Sequence, residues 1–145
     1  MTDERDTKQG RQQRPSGGGG AIQIEVSPGE LFDKISILQI KAERITDPAA
    51  LEHVRRELAM LEQASGAIVQ LAALRELRAQ LKSVNEALWD VEDEIRRCDA
   101  AGDFGPRFVE LAQAVYHHND RRAHVKRQIN EMLGSRIAEQ KTYGG

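Results

Sequence analysis

The side chains best suited to chemistry are concentrated between residues 116 and 122. This segment places aromatic, imidazole, amide, carboxylate and guanidinium groups within about two turns of a predicted helix. The heptad pattern of that helix predicts apolar side chains at three positions where the chain has Asn119, Arg122 and Lys126. Buried polar groups without partners are costly, so these three side chains must be paired, solvated or used in binding.

The preceding segment supplies a partner for that helix. Its apolar residues recur at alternating steps of three and four, a heptad seam that demands a partner along its whole length. A turn near Asp103 would make the two helices an antiparallel hairpin, with Trp89 beside His117 and with Glu92 and Asp93 near residues 112–114. The seam consists of Leu74, Leu77, Leu81, Val84, Leu88, Val91, Ile95 and Cys98.

Two interpretations of the polar cluster compete. An ion-pair network between the helices would fix their register. Alternatively, Arg and Lys side chains would hold an anionic ligand in a pocket with Trp89 or Tyr116 as its wall. The acids available are Glu86, Asp90, Glu92, Asp93 and Glu94, and the bases are Arg121, Arg122, Lys126 and Arg127.

Other kinds of site are disfavoured. His117, Asp120 and His124 share one helical face, but neighbouring histidines on an exposed helix are usually solvated, and we predict no metal and no cofactor. The chain has no phosphate-binding glycine loop and no recognisable Ser–His–acid or Cys–His arrangement. With 21 basic and 23 acidic residues and no recognition-helix motif, we predict no nucleic-acid binding.

Length and composition predict the fold class. A chain of 145 residues with 4% aromatic residues and abundant Leu, Ala, Glu and Arg is typical of a single all-α helical bundle. The only cysteine, Cys98, excludes an intramolecular disulfide and is best explained as a small apolar seam residue. Without a signal-like N-terminus or an apolar segment long enough to span a bilayer, we expect a cytoplasmic protein without membrane contact.

The chain divides into a tail and one domain. Residues 1–20 are polar and glycine-rich and should be a disordered tail, whereas residues 21–145 should form a single helical domain. Alternation of Ile22, Ile24 and Val26 with polar residues predicts one short strand. That strand would need the segment after Gly134 or the same strand of a second protomer as its partner, which is one reason to expect a homodimer.

Local signals predict four helices in an antiparallel bundle. The first covers about residues 28–45, begins with Pro28 and has a capping box formed by Ser27 and Glu30. The second starts at the Asp47 cap and should break near residues 65–66. The heptad helix ends at residues 100–102, and the last helix covers about residues 106–133 with Gly134 as its stop.

Several motifs resemble a family of small uncharacterised bacterial and phage proteins. They are the opening I-E-V-S-P-G-E-L-x-D-K-I at residues 24–35, L-W-x-x-E-D-x-I-R at residues 88–96, and V-Y-x-x-N-D-R at residues 115–121. Members of that family occur near, or fused to, glycan-assembly proteins such as glycosyltransferases. The polar positions that the resemblance marks as a candidate site are Asp33, Lys34, Asn85, Trp89, Glu92, Asp93, Arg96, Tyr116, Asn119, Asp120, Arg121 and Lys126.

Two function hypotheses follow. The first is a non-enzymatic interaction or scaffold module, associated with glycan or surface-polysaccharide assembly, in which Leu81→Asp or Val91→Asp abolishes assembly and Arg121→Ala does not. The second is binding, or electrostatic catalysis, of a small anionic metabolite in the bundle core, similar to all-helical chorismate mutases. There Lys34, Arg96, Arg121 and Lys126 would bind the anion, Trp89 and Tyr116 would wall the pocket, and Asp93 or Asp120 would orient the bases.

Overall fold

Four helices make up the body of the protein in a computed structural model that describes residues 20–66, 68 and 71–134. The predicted all-α bundle is confirmed, and each helix lies close to its predicted bounds. They are α1 at Pro28–Arg44, α2 at Pro48–Ser65, α3 at Ala72–Ala100 and α4 at Pro106–Leu133.

Side-chain caps and prolines start the first two helices. The Oγ of Ser27 accepts a hydrogen bond from the Glu30 backbone N–H at 3.3 Å, and Pro28 occupies the first helical position. The carboxylate of Glu30 pairs with Lys126 at 2.7 Å. Glu30 therefore connects α1 to α4 in addition to its place in the predicted capping box.

The cap of α2 gives a simple stability prediction. The Asp47 carboxylate accepts a hydrogen bond from the Ala50 N–H at 2.9 Å. We expect Asp47→Ala to lower the free energy of unfolding by about 1 kcal/mol, because one helix-terminal donor loses its partner. Urea denaturation checks this value, with Asp47→Asn as the control that keeps the cap and should stay close to wild type.

Glycines end the helices where the sequence indicates. Gly66 follows α2 with a φ of 55°, and Gly134 follows α4 with a φ of 62° in the left-handed region that favours glycine. The predicted break after Ser65 is thus confirmed. At this break the chain leaves α2, which packs against α1, and enters the long hairpin formed by α3 and α4.

The core lies where α1 crosses the half of that hairpin that contains the beginning of α3 and the end of α4. Phe32 and Ile35 of α1 pack into one cluster with α3 and α4. The hairpin side chains in this cluster are Leu74, Leu77, Leu81, Val125 and Ile129. The first part of the heptad seam, from Leu74 to Leu81, therefore packs against α4 and α1 of the same chain.

Burial along the seam changes where α1 ends. From Leu74 to Leu88 the seam residues are 0–8% exposed, but Val91, Ile95 and Cys98 are only half-buried. Arg44, the last residue of α1, reaches Asp90 at 2.6 Å. Beyond that contact α3 and α4 continue as a two-helix projection, residues 91–118, here called the arm.

The predicted N-terminal strand does not form in the described chain. Residues 21–27 have no regular secondary structure, and the side chains of Ile22, Ile24 and Val26 are exposed. Alternation alone is not enough, because a strand also needs a neighbour for its backbone groups. Residues 1–19 of the tail predicted at residues 1–20 and the segment after Gly134 lie outside the described residues.

Candidate functional site

A buried carboxylate joins three helices at the centre of the protein. Asp33 on α1 is 3% exposed, and its Oδ1 accepts hydrogen bonds from Asn85 Nδ2 of α3 and Arg122 Nε of α4, both at 2.9 Å. Arg122 Nη2 also donates to Asp33 Oδ2 at 2.5 Å, which makes this a two-pronged guanidinium–carboxylate pair. Ser36, one turn further along α1, accepts a second hydrogen bond from Asn85 at 2.7 Å.

A second cation completes this polar network. Lys126 is 3% exposed, and its Nζ lies 2.7 Å from Glu30 Oε1 and 3.8 Å from Asp33 Oδ2. Two acids of α1 thus face two bases of α4, and each base is paired with an acid of opposite charge. Such burial is stable only when the groups are paired and hydrogen-bonded, as they are here.

The start of α1 lies unusually close to α4. The Gly29 N–H donates to Asn130 Oδ1 at 2.7 Å. A Cβ atom at position 29 would lie 2.6 Å from the Lys126 carbonyl oxygen, which leaves room for glycine alone. This close approach allows Glu30 and Asp33 to reach the cations of α4.

The network agrees with the predicted register-setting ion pairs in kind but not in its acids. Arg122 binds Asp33 and Lys126 binds Glu30, and both of these acids belong to α1 and lie outside the predicted acidic block of α3. The heptad pattern of the hairpin indicates acids of α3, because that pattern carries no information about the helix that crosses the hairpin. The geometry fixes how α1 lies across the hairpin.

A cavity of about 230 Å³ opens beside this network. Its floor is apolar, its wall is the indole of Trp89, and amide and charged groups of all three helices face it. Its lining residues are Ile37, Ile40, Lys41, Asn85, Leu88, Trp89, Glu92, Asn119 and Arg122. An aromatic wall, a buried amide and two cations therefore meet at this cavity.

One edge of the cavity is held by an ion pair. The Arg44 guanidinium lies over the Trp89 ring at 5.7 Å from its centroid and bonds to Asp90. That hydrogen bond raises the pKa of Arg44 above its ordinary value. The indole is therefore packed between α1 and the base of the arm.

The structure brings together six of the twelve predicted site residues. Asp33, Asn85 and Lys126 belong to the network, while Trp89, Glu92 and Asn119 line the cavity together with Asn85. Arg122 joins the two groups, because it binds Asp33, lines the cavity and donates to Asn119 at 3.4 Å.

The other six predicted residues lie elsewhere. Lys34 pairs with Glu57 of α2 at 3.3 Å, and Tyr116 is exposed and packs on His117. The remaining four do not line the cavity; Arg96 and Arg121 are exposed, and Asp93 and Asp120 are half-buried. The four cations suggested to hold an anion, Lys34, Arg96, Arg121 and Lys126, therefore do not converge.

Several residues of the network and the cavity are absent from the twelve predicted site residues. Glu30 was assigned only to a cap, and Arg122 was set aside in favour of its neighbour Arg121. Lys41 and Ser36 carried no signal, since both look like ordinary polar positions of an amphipathic helix. A signal did exist for Arg122, because it occupies an apolar heptad position whereas Arg121 does not.

The described residues contain neither a metal-binding cluster nor a membrane-spanning helix. No three His, Cys, Asp or Glu side chains there lie together in a way that could hold a metal ion. No described helix is long and apolar enough to cross a membrane.

Comparison with known proteins yields a family but no activity. A model of a protein family of unknown function matches residues 22–145, in agreement with the resemblance to an uncharacterised family. No curated protein and no solved structure matches the chain.

Proposed function

We propose that this chain, which belongs to the family of unknown function DUF6165, is a non-catalytic helical interaction module that self-associates through its arm. One observation carries the proposal. The heptad seam continues from the buried core into the arm, but there its residues lose the third helix that covers them elsewhere. A continuous seam with incomplete cover favours a further helical partner.

The outer face of the arm adds apolar surface. Phe104, Val109 and Tyr116 are 58%, 51% and 54% exposed, and the last two share one face of α4 at a spacing of seven residues. Phe104 packs edge-on against Phe108 at the tip, with ring centroids 5.3 Å apart. Large apolar side chains grouped at one end of a protein indicate a contact surface more than scattered ones do.

A second copy of this chain is the partner that fits the arm. Two antiparallel arms related by a two-fold axis would form a four-helix bundle and would cover the same side chains on both copies. Along α3 the acids at positions 92–94 come before Arg96 and Arg97. In an antiparallel pair the acidic segment of one copy would then lie beside the arginines of the other.

The setting of this module is part of the proposal. We place it in the cytoplasm, with a role in glycan or surface-polysaccharide assembly, and for that role the resemblance of its motifs is the only support. In this setting the dimer would serve as a scaffold, presenting two copies of the body to a partner protein.

Self-association can be tested by charge substitution on the arm. We expect wild type to sediment with twice the monomer mass of 16.2 kDa, and Val109→Asp to sediment as a monomer, because an uncompensated carboxylate would be buried in the interface. Analytical ultracentrifugation over a range of concentrations measures both masses. Circular dichroism shows whether the variant keeps its helices.

The matched control is Met60→Asp, which places the same charge at another exposed apolar residue, on α2. This variant should remain a dimer. A monomeric wild type at all concentrations, or a dimeric Val109→Asp, contradicts the proposal. Leu81→Asp is unsuitable as a probe because Leu81 is fully buried inside the chain and its replacement would report unfolding.

A further inference from the structure

We propose that the cavity beside Trp89 binds a small carboxylate that carries one flat ring. This site is separate from the outer face of the arm, and the inference does not depend on self-association. It rests on three features of the cavity wall, namely its cations, its aromatic surface and its size.

Lys41 supplies the charge. Its side chain is half-buried at the cavity and has no ion-pair partner among the described residues, although other lysines of the body are paired, such as Lys34 with Glu57 and Lys82 with Glu43. A half-buried ammonium facing a concave, largely apolar surface favours an anion from solution.

Arg122 adds a second cation in a fixed orientation. Its guanidinium is held by both oxygens of Asp33, and it lines the cavity from α4, whereas Lys41 lines it from α1. Because Asp33 balances its charge, Arg122 contributes mainly direction and hydrogen-bond geometry. Lys41 is the group whose charge the ligand would match.

Trp89 and the apolar floor select a flat body. The indole lines the cavity together with Ile40 and Leu88, so a ring bound there would contact aromatic and aliphatic surfaces together. Asn85 is buried, and its side-chain amide donates hydrogen bonds to Asp33 and Ser36. It therefore gives the cavity wall one polar group in a fixed position. Apolar walls with few fixed polar groups are typical of small-molecule sites.

Size limits the ligand to a single ring. At about 230 Å³ the cavity is smaller than the usual range for drug-sized ligands, which starts at roughly 300 Å³. Glu92 at the exposed edge disfavours a second anionic group there. The chemistry therefore points to a monocarboxylate.

The experiment uses three probes of one shape and different charge: benzoate, benzamide and benzylamine. Trp89 is the only tryptophan of the chain, so its fluorescence reports this cavity and no other place. We expect benzoate to change that fluorescence in a saturable way at millimolar concentration. Benzamide should bind at least about tenfold more weakly and benzylamine not at all.

Two variants locate the charge. Lys41→Gln should weaken benzoate binding by about tenfold and leave benzamide unchanged, because only the charged contact is lost. Lys34→Gln is the control, since Lys34 lies on the same helix but lines a different groove and pairs with Glu57. Both lysines are exposed or half-buried, so neither variant should unfold the protein.

Each possible result of these titrations either supports or overturns the proposed site. Saturable benzoate binding that Lys41→Gln weakens and Lys34→Gln does not supports the site. Equal response to benzoate and benzamide, stronger binding of benzylamine, or no saturable change of Trp89 fluorescence overturns it. Unfolding curves of each variant without ligand show that a lost response reflects the site.

Discussion

Asp33→Asn should lower the free energy of unfolding by about 3–5 kcal/mol, although the two side chains have nearly the same shape. The substitution removes the carboxylate that accepts two hydrogen bonds from Arg122, and it can turn the amide N–H2 of the new Asn towards the N–H donors of Arg122. It also takes one of two carboxylates from Lys126, which is 3% exposed. A buried cation whose partner is removed is far more costly than a lost surface pair.

Chemical denaturation followed by circular dichroism gives the free energy. Glu43→Gln is the control, since it removes the acid of the exposed pair with Lys82 at 2.8 Å and should change stability by no more than about 0.5 kcal/mol. Equal effects of the two variants would show that Asp33 is not the centre of a buried network.

Gly29→Ala should lower the free energy of unfolding by about 3 kcal/mol through crowding alone. The new Cβ would lie 2.6 Å from the Lys126 carbonyl oxygen and 3.0 Å from Asn130 Oδ1. Backbone atoms of α4 cannot move aside as a flexible side chain would, so α1 must shift outward. That shift would lengthen the Gly29–Asn130 hydrogen bond and strain the contacts of Asp33.

Gly105→Ala is the matched control, because Gly105 also adjoins the first proline of a helix. There an added Cβ meets only the Asp103 side chain, at 3.3 Å. The free energy of unfolding, measured by thermal unfolding, should change by no more than about 0.5 kcal/mol. If the Gly29→Ala and Gly105→Ala variants unfold at the same temperature, α1 does not approach α4 as closely as described.

The helices could be predicted from sequence because their signals are local. Ser27, Pro48 and Gly134 act within one turn of the chain, and the heptad steps of α3 need only neighbouring residues. The strand at Ile22 and Ile24 could not be judged in this way, because its existence depends on a distant partner.

The site was predictable only in part for a related reason. Asn85, Trp89 and Asn119 could be grouped from the register of the hairpin, since α3 and α4 are joined by a short turn. The angle at which α1 crosses the hairpin leaves no periodic trace in the sequence. Asp33 was therefore identified as a candidate, but its bonds to Arg122 and Asn85 were not.

The close approach of Gly29 to Asn130 also implies an order of events during folding. Their hydrogen bond joins residues 101 positions apart, whereas α3 and α4 need only a short turn to meet. Since the entropy lost on closing a loop grows with its length, we expect the hairpin to form first and α1 to dock late. The polar network would then form last, because Glu30 and Asp33 reach the two cations of α4 only when α1 is correctly placed.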